Sequence, residues 1–308
     1  MASFFARRPI ARLCRVPGLY SKIRRKNSLS ELIINADDFG LCDGVNDAIV
    51  ELFELGVLTS TTLMVNADST LSAVTIAEKN PNLGVGLHFN LTLGKAVAPA
   101  NELDGLVDSD GYFYPRSKLL KRLAARSVQA EQISLELESQ YQRMLSFGLK
   151  PTHIDSHQHL HVYPLVFDVL ANFCASKYLP IRMPWVAHSP SNRLSLPKRA
   201  KRGILSSANS WNARRWDGKL KWNDALCSVF DIARRPSLVT VGDYAALIGE
   251  QPGGVVELMV HPATNLQDIG SLTRIGEVSL QEWTVMRTPE FRRMLVDSGL
   301  RLRSFRGL

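Results

Sequence analysis

The 308-residue sequence has few cysteines, no internal repeat and no long apolar run. No stretch approaches the roughly 20 consecutive apolar residues of a membrane-spanning helix. The four cysteines, Cys14, Cys42, Cys174 and Cys227, are far apart and form no C-x-x-C pair. This spacing argues against a disulfide framework and against a thiolate zinc site. A cytoplasmic location is therefore the simplest prediction.

Acidic residues are absent from positions 1–30, which carry eight Lys and Arg residues. Without those eight, 29 basic residues remain against 29 acidic ones, so the body of the chain is neutral. The sequence thus lacks the global basic footprint of a nucleic-acid-binding protein. We expect residues 1–30 to be a disordered extension, with an organelle transit peptide or an anionic-surface anchor as alternatives.

From residue 31 onward, short apolar runs alternate with helical periods. The pattern predicts strands at 32–34, 61–65 and 85–89, with a helix that begins at Asp43 as its N-cap and a second helix at 71–78. This βαβαβ order favours parallel strands joined by crossover helices. Seven or eight such units predict a single α/β domain over 31–308, a TIM-like (β/α) barrel in regular or distorted form. A long insertion is expected after the third strand, at about 94–132.

The densest cluster of ionisable residues is the histidine segment, residues 152–161, which reads THIDSHQHLH. His153, Asp155, His157, His159 and His161 alternate with other residues, so an extended backbone would point all five to one face. Such a segment spans roughly 26 Å, whereas imidazole nitrogens bind a metal at about 2.1 Å. One ion could therefore bind only one or two neighbours, and its other ligands must come from elsewhere.

Polar residues also follow three other apolar strands. Asp37 and Asp38 end the first strand, His88 and Asn90 lie at the end of the third, and His261 follows the strand predicted at 255–260. Because the carboxyl ends of barrel strands form one face, we expect these residues and the histidine segment to converge. A divalent ion bound by one aspartate would leave the other able to act as a base, and two imidazoles plus one carboxylate leave coordination positions open. A capping aspartate and a satisfied core histidine are the structural alternatives for single residues.

Four sequence blocks hold most of these residues: NADDFG at 35–40, GLHFNLT at 86–92, PTHIDSHQHLH at 151–161 and ELMVHP at 257–262. These blocks resemble the signature blocks of the YdjC-like carbohydrate deacetylases, which include the chitooligosaccharide deacetylases. They occur in order from about residue 31 to the C-terminus, and together they are specific. The resemblance implies a TIM-like barrel that hydrolyses the N-acetyl group of an amino sugar.

The resemblance also implies roles by position. Asp38, His88 and His157 would bind one divalent metal ion, Mg²⁺ or alternatively Zn²⁺. Asp37 would be the general base, and His261 the acid that protonates the departing amine. The residues expected to support the ligands or to contact substrate are Asp155, His153, His159, His161, Asn90 and Arg182.

Two other functions remain open at this point, a non-catalytic metal- or sugar-binding barrel and a glycoside hydrolase. A glycoside hydrolase needs two carboxyl groups about 5 to 9.5 Å apart, which adjacent Asp37 and Asp38 fit poorly, and a binding protein has little need of a base and an acid. The expected partner is an acetylated amino sugar, such as an N-acetylglucosamine oligomer or conjugate, and no nucleic acid. A homodimer is compatible with the sequence.

Overall fold

The computed structural model describes residues 31–185, 196–232, 238–251, 253–270, 272–273 and 275–308. The predicted extension at 1–30 and the first part of the basic stretch at 191–221 lie outside these ranges. None of the helices within them combines the length and the apolar character that crossing a membrane requires.

The first half of the chain alternates strands and helices, as its apolar pattern predicts. In chain order the elements are β1 (Glu31–Phe39), α1 (Asp43–Glu54), β2 (Ser60–Leu63), α2 (Thr70–Lys79), β3 (Gly84–Phe89), α3 (Arg116–Ala124), α4 (Ala130–Ser146) and β4 (Ile154–Ser156). The predicted N-cap of α1 is off by one residue, because Cys42 occupies the cap and Asp43 lies in the first turn. A carboxylate is favourable there too, since it faces the positive end of the helix dipole.

The second half begins with a 3₁₀ helix, His157–Val162, and contains shorter strands. The elements that follow are α5 (Pro164–Lys177), α6 (Leu196–Trp216), β5 (Ala225–Cys227), α7 (Val241–Gly249), β6 (Val255–Val260), α8 (Leu266–Ile269), α9 (Gly276–Met286), α10 (Pro289–Ser298) and β7 (Arg301–Leu302). All strand pairs are parallel, in the order β4-β3-β2-β1-β6-β5, and β7 pairs with the beginning of β1.

The prediction of a barrel is only partly confirmed, because the parallel α/β architecture is present but the sheet does not close. The six strands of the main path turn through 226°, which makes a half-barrel. Both edge strands, β4 and β5, have only three residues. Between them, Ile181 forms a single parallel bridge to Ile154 and donates its N–H to the Lys221 carbonyl. Two residues further on, the Met183 N–H donates to the side-chain Oδ1 of Asn223 and not to a backbone carbonyl of a neighbouring strand. Side-chain hydrogen bonds thus replace the ladder that would close the barrel.

The two faces of the sheet have opposite chemistry. Apolar side chains of the strands and helices form one continuous core, with members such as Ile49, Leu137, Phe167 and Phe291 fully buried. Burial of each such side chain contributes roughly 1.5–3 kcal/mol. The inside of the half-barrel is polar, and its side chains are at most 1% exposed: Thr62, His88, Asp155, Arg182 and Glu257. Buried polar groups cost free energy unless they are paired, so this interior is a candidate functional site.

Candidate metal centre

The end of β1 is irregular, and this irregularity brings two consecutive aspartates to the site. Successive residues of a regular strand point to opposite faces. Asp38, however, has a left-handed φ of 66°, and the register of β1 against β2 shifts between Ala36 and Phe39. Gly40 follows with a φ of 91°, and its N–H donates to Asn46 Oδ1 at 2.8 Å. A positive φ at a non-glycine residue costs free energy and is concentrated at functional sites.

Asp38, His88 and His157 form a compact group of candidate metal ligands. Asp38 Oδ1 lies 3.2 Å from His88 Nε2 and 2.9 Å from His157 Nδ1. Each residue offers one ligand atom, and these atoms all lie within 4.8 Å of one another. The Asp38 and His88 side chains are buried, whereas the His157 side chain is 12% exposed. The group is therefore accessible from one side.

The hydrogen bonds around His88 prepare its ring for a ligand role. Asp155 Oδ1 lies 2.6 Å from His88 Nδ1, and the Thr62 hydroxyl contacts the same nitrogen at 3.1 Å. Thr62 also donates to Asp155 Oδ2 at 3.2 Å. A carboxylate at Nδ1 favours the proton on that nitrogen and directs the Nε2 lone pair toward Asp38. Carboxylate support of this kind is typical of metal-binding histidines, so these residues fit one divalent cation.

The electrostatics of the group also favour a cation. Burial raises the pKa of Asp38, but His157 and His88 outweigh it and hold that pKa well below the usual 3.8. Burial lowers the pKa of His88, yet Asp155 and Asp38 overcome it and raise the pKa to about 10. The carboxylates thus hold positive charge between them. A metal ion at this position would compete with the proton on His88.

Arg182 lies fully buried among three carboxylates. Its Nη1 and Nη2 donate to Asp37 Oδ2 and Oδ1, both at 2.7 Å, in a bidentate pair. Nη1 also lies 2.6 Å from Asp155 Oδ2, and Nε donates to Glu257 Oε1 at 2.7 Å. Asp37, His88 and Asp155 have a spacing that could hold a second metal ion. The Arg182 guanidinium already provides positive charge at Asp37 and Asp155. We therefore assign this position to Arg182 and not to a second metal ion.

One guanidinium cannot neutralise three carboxylates, and the pKa values of Asp37 and Glu257 are shifted in opposite directions. Burial raises the pKa of Asp37, but the Coulomb attraction and hydrogen bonds of Arg182 lower it below the usual 3.8. For Glu257, burial outweighs Arg182 and raises the pKa to about 7. Asn35 Nδ2 also donates to Asp37 Oδ1 at 2.9 Å. Asp37 is therefore ionised and held in one orientation.

His261 follows β6 and lies beside Asp37. Its Nε2 is 3.9 Å from Asp37 Oδ2, and its side chain is 15% exposed. The ring meets Phe230 edge to face, with 5.6 Å between the ring centroids. Burial lowers the pKa of His261, and Asp37 and Asp38 oppose that effect. Nδ1 is buried without a hydrogen-bond partner among the residues that the structure describes.

The other histidines of the segment lie outside the ligand group. The extended backbone ends at Ser156, because His157–Val162 forms short 3₁₀ turns with a kink at left-handed Gln158 and His159. His161 contacts the Ser156 hydroxyl through Nδ1 and the Arg182 carbonyl through Nε2, the latter at 3.0 Å. The His159 side chain is partly buried, and burial lowers its pKa to about 3.

His153 and Asn90 have surroundings that differ from the rest of the site. The His153 ring stacks on Phe305 with 3.8 Å between centroids and lies against Gly86. Asn90 Oδ1 accepts hydrogen bonds from the N–H groups of Thr92 and Leu93, and its Nδ2 donates to the Leu93 carbonyl. The structure therefore places Asn90 in the turn after β3, where it fixes the backbone that follows His88.

Three residues of the site escaped sequence reasoning. Glu257 carried a signal, since it is the only charged residue of the apolar strand 255–260. Thr62 and Glu282 carried none, because a threonine in a strand and a glutamate in a helix are ordinary. Glu282 is fully buried on α9, and burial raises its pKa to about 8.

The fold and the site together define a parallel α/β half-barrel protein with an Asp/His group that could hold a metal ion. The chain belongs to the YdjC-like family, whose model, described as YdjC-like protein, matches residues 31–297. The match confirms the resemblance carried by the four sequence blocks.

Two curated bacterial proteins are similar to this chain. The chain is 32% identical over 284 residues to a chitooligosaccharide deacetylase from Proteus mirabilis, which covers 90% of this chain and 98% of that protein. It is 42% identical over 151 residues to a carbohydrate deacetylase from Clostridium beijerinckii, covering 49% of this chain and 59% of that protein. A solved structure from Enterococcus faecalis, described as a cellobiose-phosphate cleavage protein, has a TM-score of 0.73 at 24% identity and covers 90% of this chain and 98% of its own. That similarity concerns the fold alone.

Proposed function

We propose that this protein is a metal-dependent deacetylase that removes the N-acetyl group from acetylated carbohydrates. The substrates would be mono- or oligosaccharides that contain N-acetylglucosamine, or conjugates of that sugar. The observation that carries the proposal is the Asp38, His88 and His157 group beside an ionised carboxylate, Asp37, and a partly exposed imidazole, His261. The deacetylase names of the bacterial relatives support the same activity.

Asp38, His88 and His157 would hold one divalent ion. When bound, such an ion polarises the acyl oxygen of a substrate and acidifies water. Two imidazoles with one carboxylate are a frequent donor set of catalytic zinc sites, whereas Mg²⁺ prefers oxygen ligands. Mg²⁺, which the family resemblance favours, and Zn²⁺ are thus the two candidates, and metal analysis of protein purified without added ions decides between them.

The reaction needs a base and an acid, and two neighbouring side chains provide them. Asp37 accepts a proton from the water that attacks the acetyl carbon, so a C–O bond forms at that carbon. Arg182 keeps Asp37 ionised and fixes both of its oxygens. His261 donates a proton to the amide nitrogen as the C–N bond breaks, which releases acetate and a free amine.

The direction of substrate entry follows from exposure. His157 and His261 are 12% and 15% exposed, while the Asp37 side chain is 3% exposed. A sugar would therefore approach along the two imidazoles, with its N-acetyl group directed at Asp37.

The test is acetate release from a panel of N-acetylated sugars, with glycosidic cleavage measured in the same samples. We expect acetate and free amine in equal amounts, and intact glycosidic bonds. Cleavage of glycosidic bonds without acetate release would support a glycoside hydrolase instead. Tight metal binding with no turnover across the panel would support a binding protein.

A further inference from the structure

A buried carboxyl group outside the four sequence blocks contacts the backbone of the candidate acid. Glu282 Oε2 accepts a hydrogen bond from the His261 N–H at 2.7 Å. Its other oxygen, Oε1, accepts from the Tyr244 hydroxyl at 3.2 Å. Glu282 and Tyr244 are both fully buried, and they come from different helices, α9 and α7.

Helix α9 holds the segment after β6 at two points. The His261 N–H donates a hydrogen bond to the Glu282 carboxyl group. The Ala263 N–H donates to the carbonyl of Ser279 at 3.2 Å. Ser279 and Glu282 are three residues apart and therefore share one face of the helix. Pro262 follows His261 directly and restricts the His261 backbone to extended conformations.

The position of the His261 ring depends on this backbone. Among the described residues, no hydrogen bond fixes the ring, since Nδ1 has no partner and Nε2 is 3.9 Å from Asp37. A carboxyl that binds the N–H of the same residue is therefore the nearest polar restraint on the imidazole. A displacement of about 1 Å at a reacting group can lower a rate about 100-fold.

We propose that Glu282 is a positioning residue for His261, and that Tyr244 orients Glu282 for this role. The inference rests on the proposed function, because it gives His261 the part of the acid. Glu282 acts through a hydrogen bond to the backbone and touches neither substrate nor metal.

The role requires a hydrogen-bond acceptor at Glu282, and a negative charge is dispensable. Burial raises the pKa of Glu282 to about 8, so the group is largely neutral at pH 7. A glutamine has the same shape and retains an oxygen for the His261 N–H, while its NH₂ group can donate to the Tyr244 hydroxyl. Leucine retains the volume and removes the acceptor.

The experiment compares kcat and KM for acetate release by the metal-loaded wild type and four variants. Glu282→Gln should stay within about 3-fold of wild type, and Glu282→Leu should lose about 10- to 100-fold in kcat with little change in KM. Tyr244→Phe should lose about 2- to 10-fold. Glu277→Leu, an exposed position of the same helix, is the control and should match wild type. Equal losses in the Gln and Leu variants, or no loss in either, would overturn the proposal.

A double-mutant cycle separates positioning from general damage. If Glu282 acts only through His261, Glu282→Leu should have no further effect on kcat in a His261→Ala background. A further 10-fold loss there would show that Glu282 acts through some other residue, and would overturn the proposal.

A readout without turnover tests the contact itself. The His261 amide should be protected from hydrogen exchange in the wild type and in Glu282→Gln, and should lose at least 10-fold of that protection in Glu282→Leu or, should that variant not fold, in Tyr244→Phe. Equal protection in all variants would contradict the inference. A wild type that releases no acetate counts against the proposed function, whereas an active wild type whose Glu282 variants are all unaffected counts against this inference alone.

Discussion

Replacement of Arg182 by methionine removes the guanidinium that contacts all three carboxylates of the buried cluster. Met has a similar length and no donor, so Asp37, Asp155 and Glu257 each lose a contact of 2.5 to 2.7 Å. Loss of one partner of a buried ion pair costs about 3–5 kcal/mol, because the remaining charge is left unpaired. Native domains are stable by only about 5–15 kcal/mol. The variant should therefore lose about a fifth or more of its free energy of unfolding.

The loss in free energy of unfolding should depend on pH, and the buried carboxyl groups determine whether it grows or shrinks as the pH falls. Without the guanidinium, burial and the repulsion of neighbouring carboxylates keep the pKa of Glu257 above its value in the unfolded chain. Destabilisation is then complete above the folded pKa values and disappears below the unfolded value, which is near 4.5 for a glutamate. The deficit of Arg182→Met should thus shrink as the pH falls from 8 to 5.

Urea unfolding of the metal-free protein at pH 8, 6.5 and 5 measures this deficit. We expect the midpoint at pH 8 to fall by about 1 M or more. The matched control is Arg215→Met, because Arg215 pairs with Asp168 at 2.8 Å but is 42% exposed, and such pairs contribute at most about 1 kcal/mol. A loss in Arg182→Met no larger than in the control, or a loss independent of pH, would refute the reasoning.

Three further predictions concern the base, the buried acids and a close packing contact. Asp37→Asn should bind metal as the wild type does in calorimetry but lose about 100-fold or more in kcat; unchanged turnover would remove Asp37 from the role of base. The pKa values of Glu257 and Glu282 are raised from 4.5 to about 7 and about 8, so their stabilising contributions are complete below pH 4.5 and are lost as the pH rises through 7 to 8. The unfolding free energy of the metal-free protein should fall between pH 6 and 9, and a rise over that interval would contradict the assignment. Gly86→Ala should cost about 1–3 kcal/mol in free energy of unfolding, measured with urea, because the new Cβ would overlap the buried imidazole of His153. The control Gly203→Ala, in open space on α6, should be neutral or stabilising. Equal effects of the two substitutions would refute the packing argument.

The residues that the candidate site brings together follow strand ends, and an apolar pattern can predict where strands end. Asp37, His88 and His261 lie at or beside the carboxyl ends of apolar strands, and the carboxyl ends of parallel strands meet at one edge. The alternation of strands and helices likewise predicted that the strands are parallel. A closed barrel was wrongly predicted, because the two edge strands are only three residues long. An apolar pattern also cannot show that side-chain hydrogen bonds of Asn223 take the place of a closing strand.

Local backbone geometry and distant contacts could not be predicted in this way. The left-handed φ of Asp38 brings two adjacent aspartates to one site, but the neighbouring residues do not predict this conformation. The histidine segment alternates like a strand, but the strand ends at Ser156. Arg182 and Glu282 contact the site through tertiary packing, so only the folded chain identifies their partners.

We propose that one metal ion at Asp38, His88 and His157 drives deacetylation. The most direct measurement titrates Zn²⁺ or Mg²⁺ into chelator-treated protein and follows acetate release from an N-acetylglucosamine oligomer, for wild type and for His157→Ala. We predict that activity of the wild type rises to a plateau at one bound ion per chain, and that the variant binds metal weakly and releases little acetate. Acetate release that needs no metal, or that persists unchanged in His157→Ala, would contradict the claim.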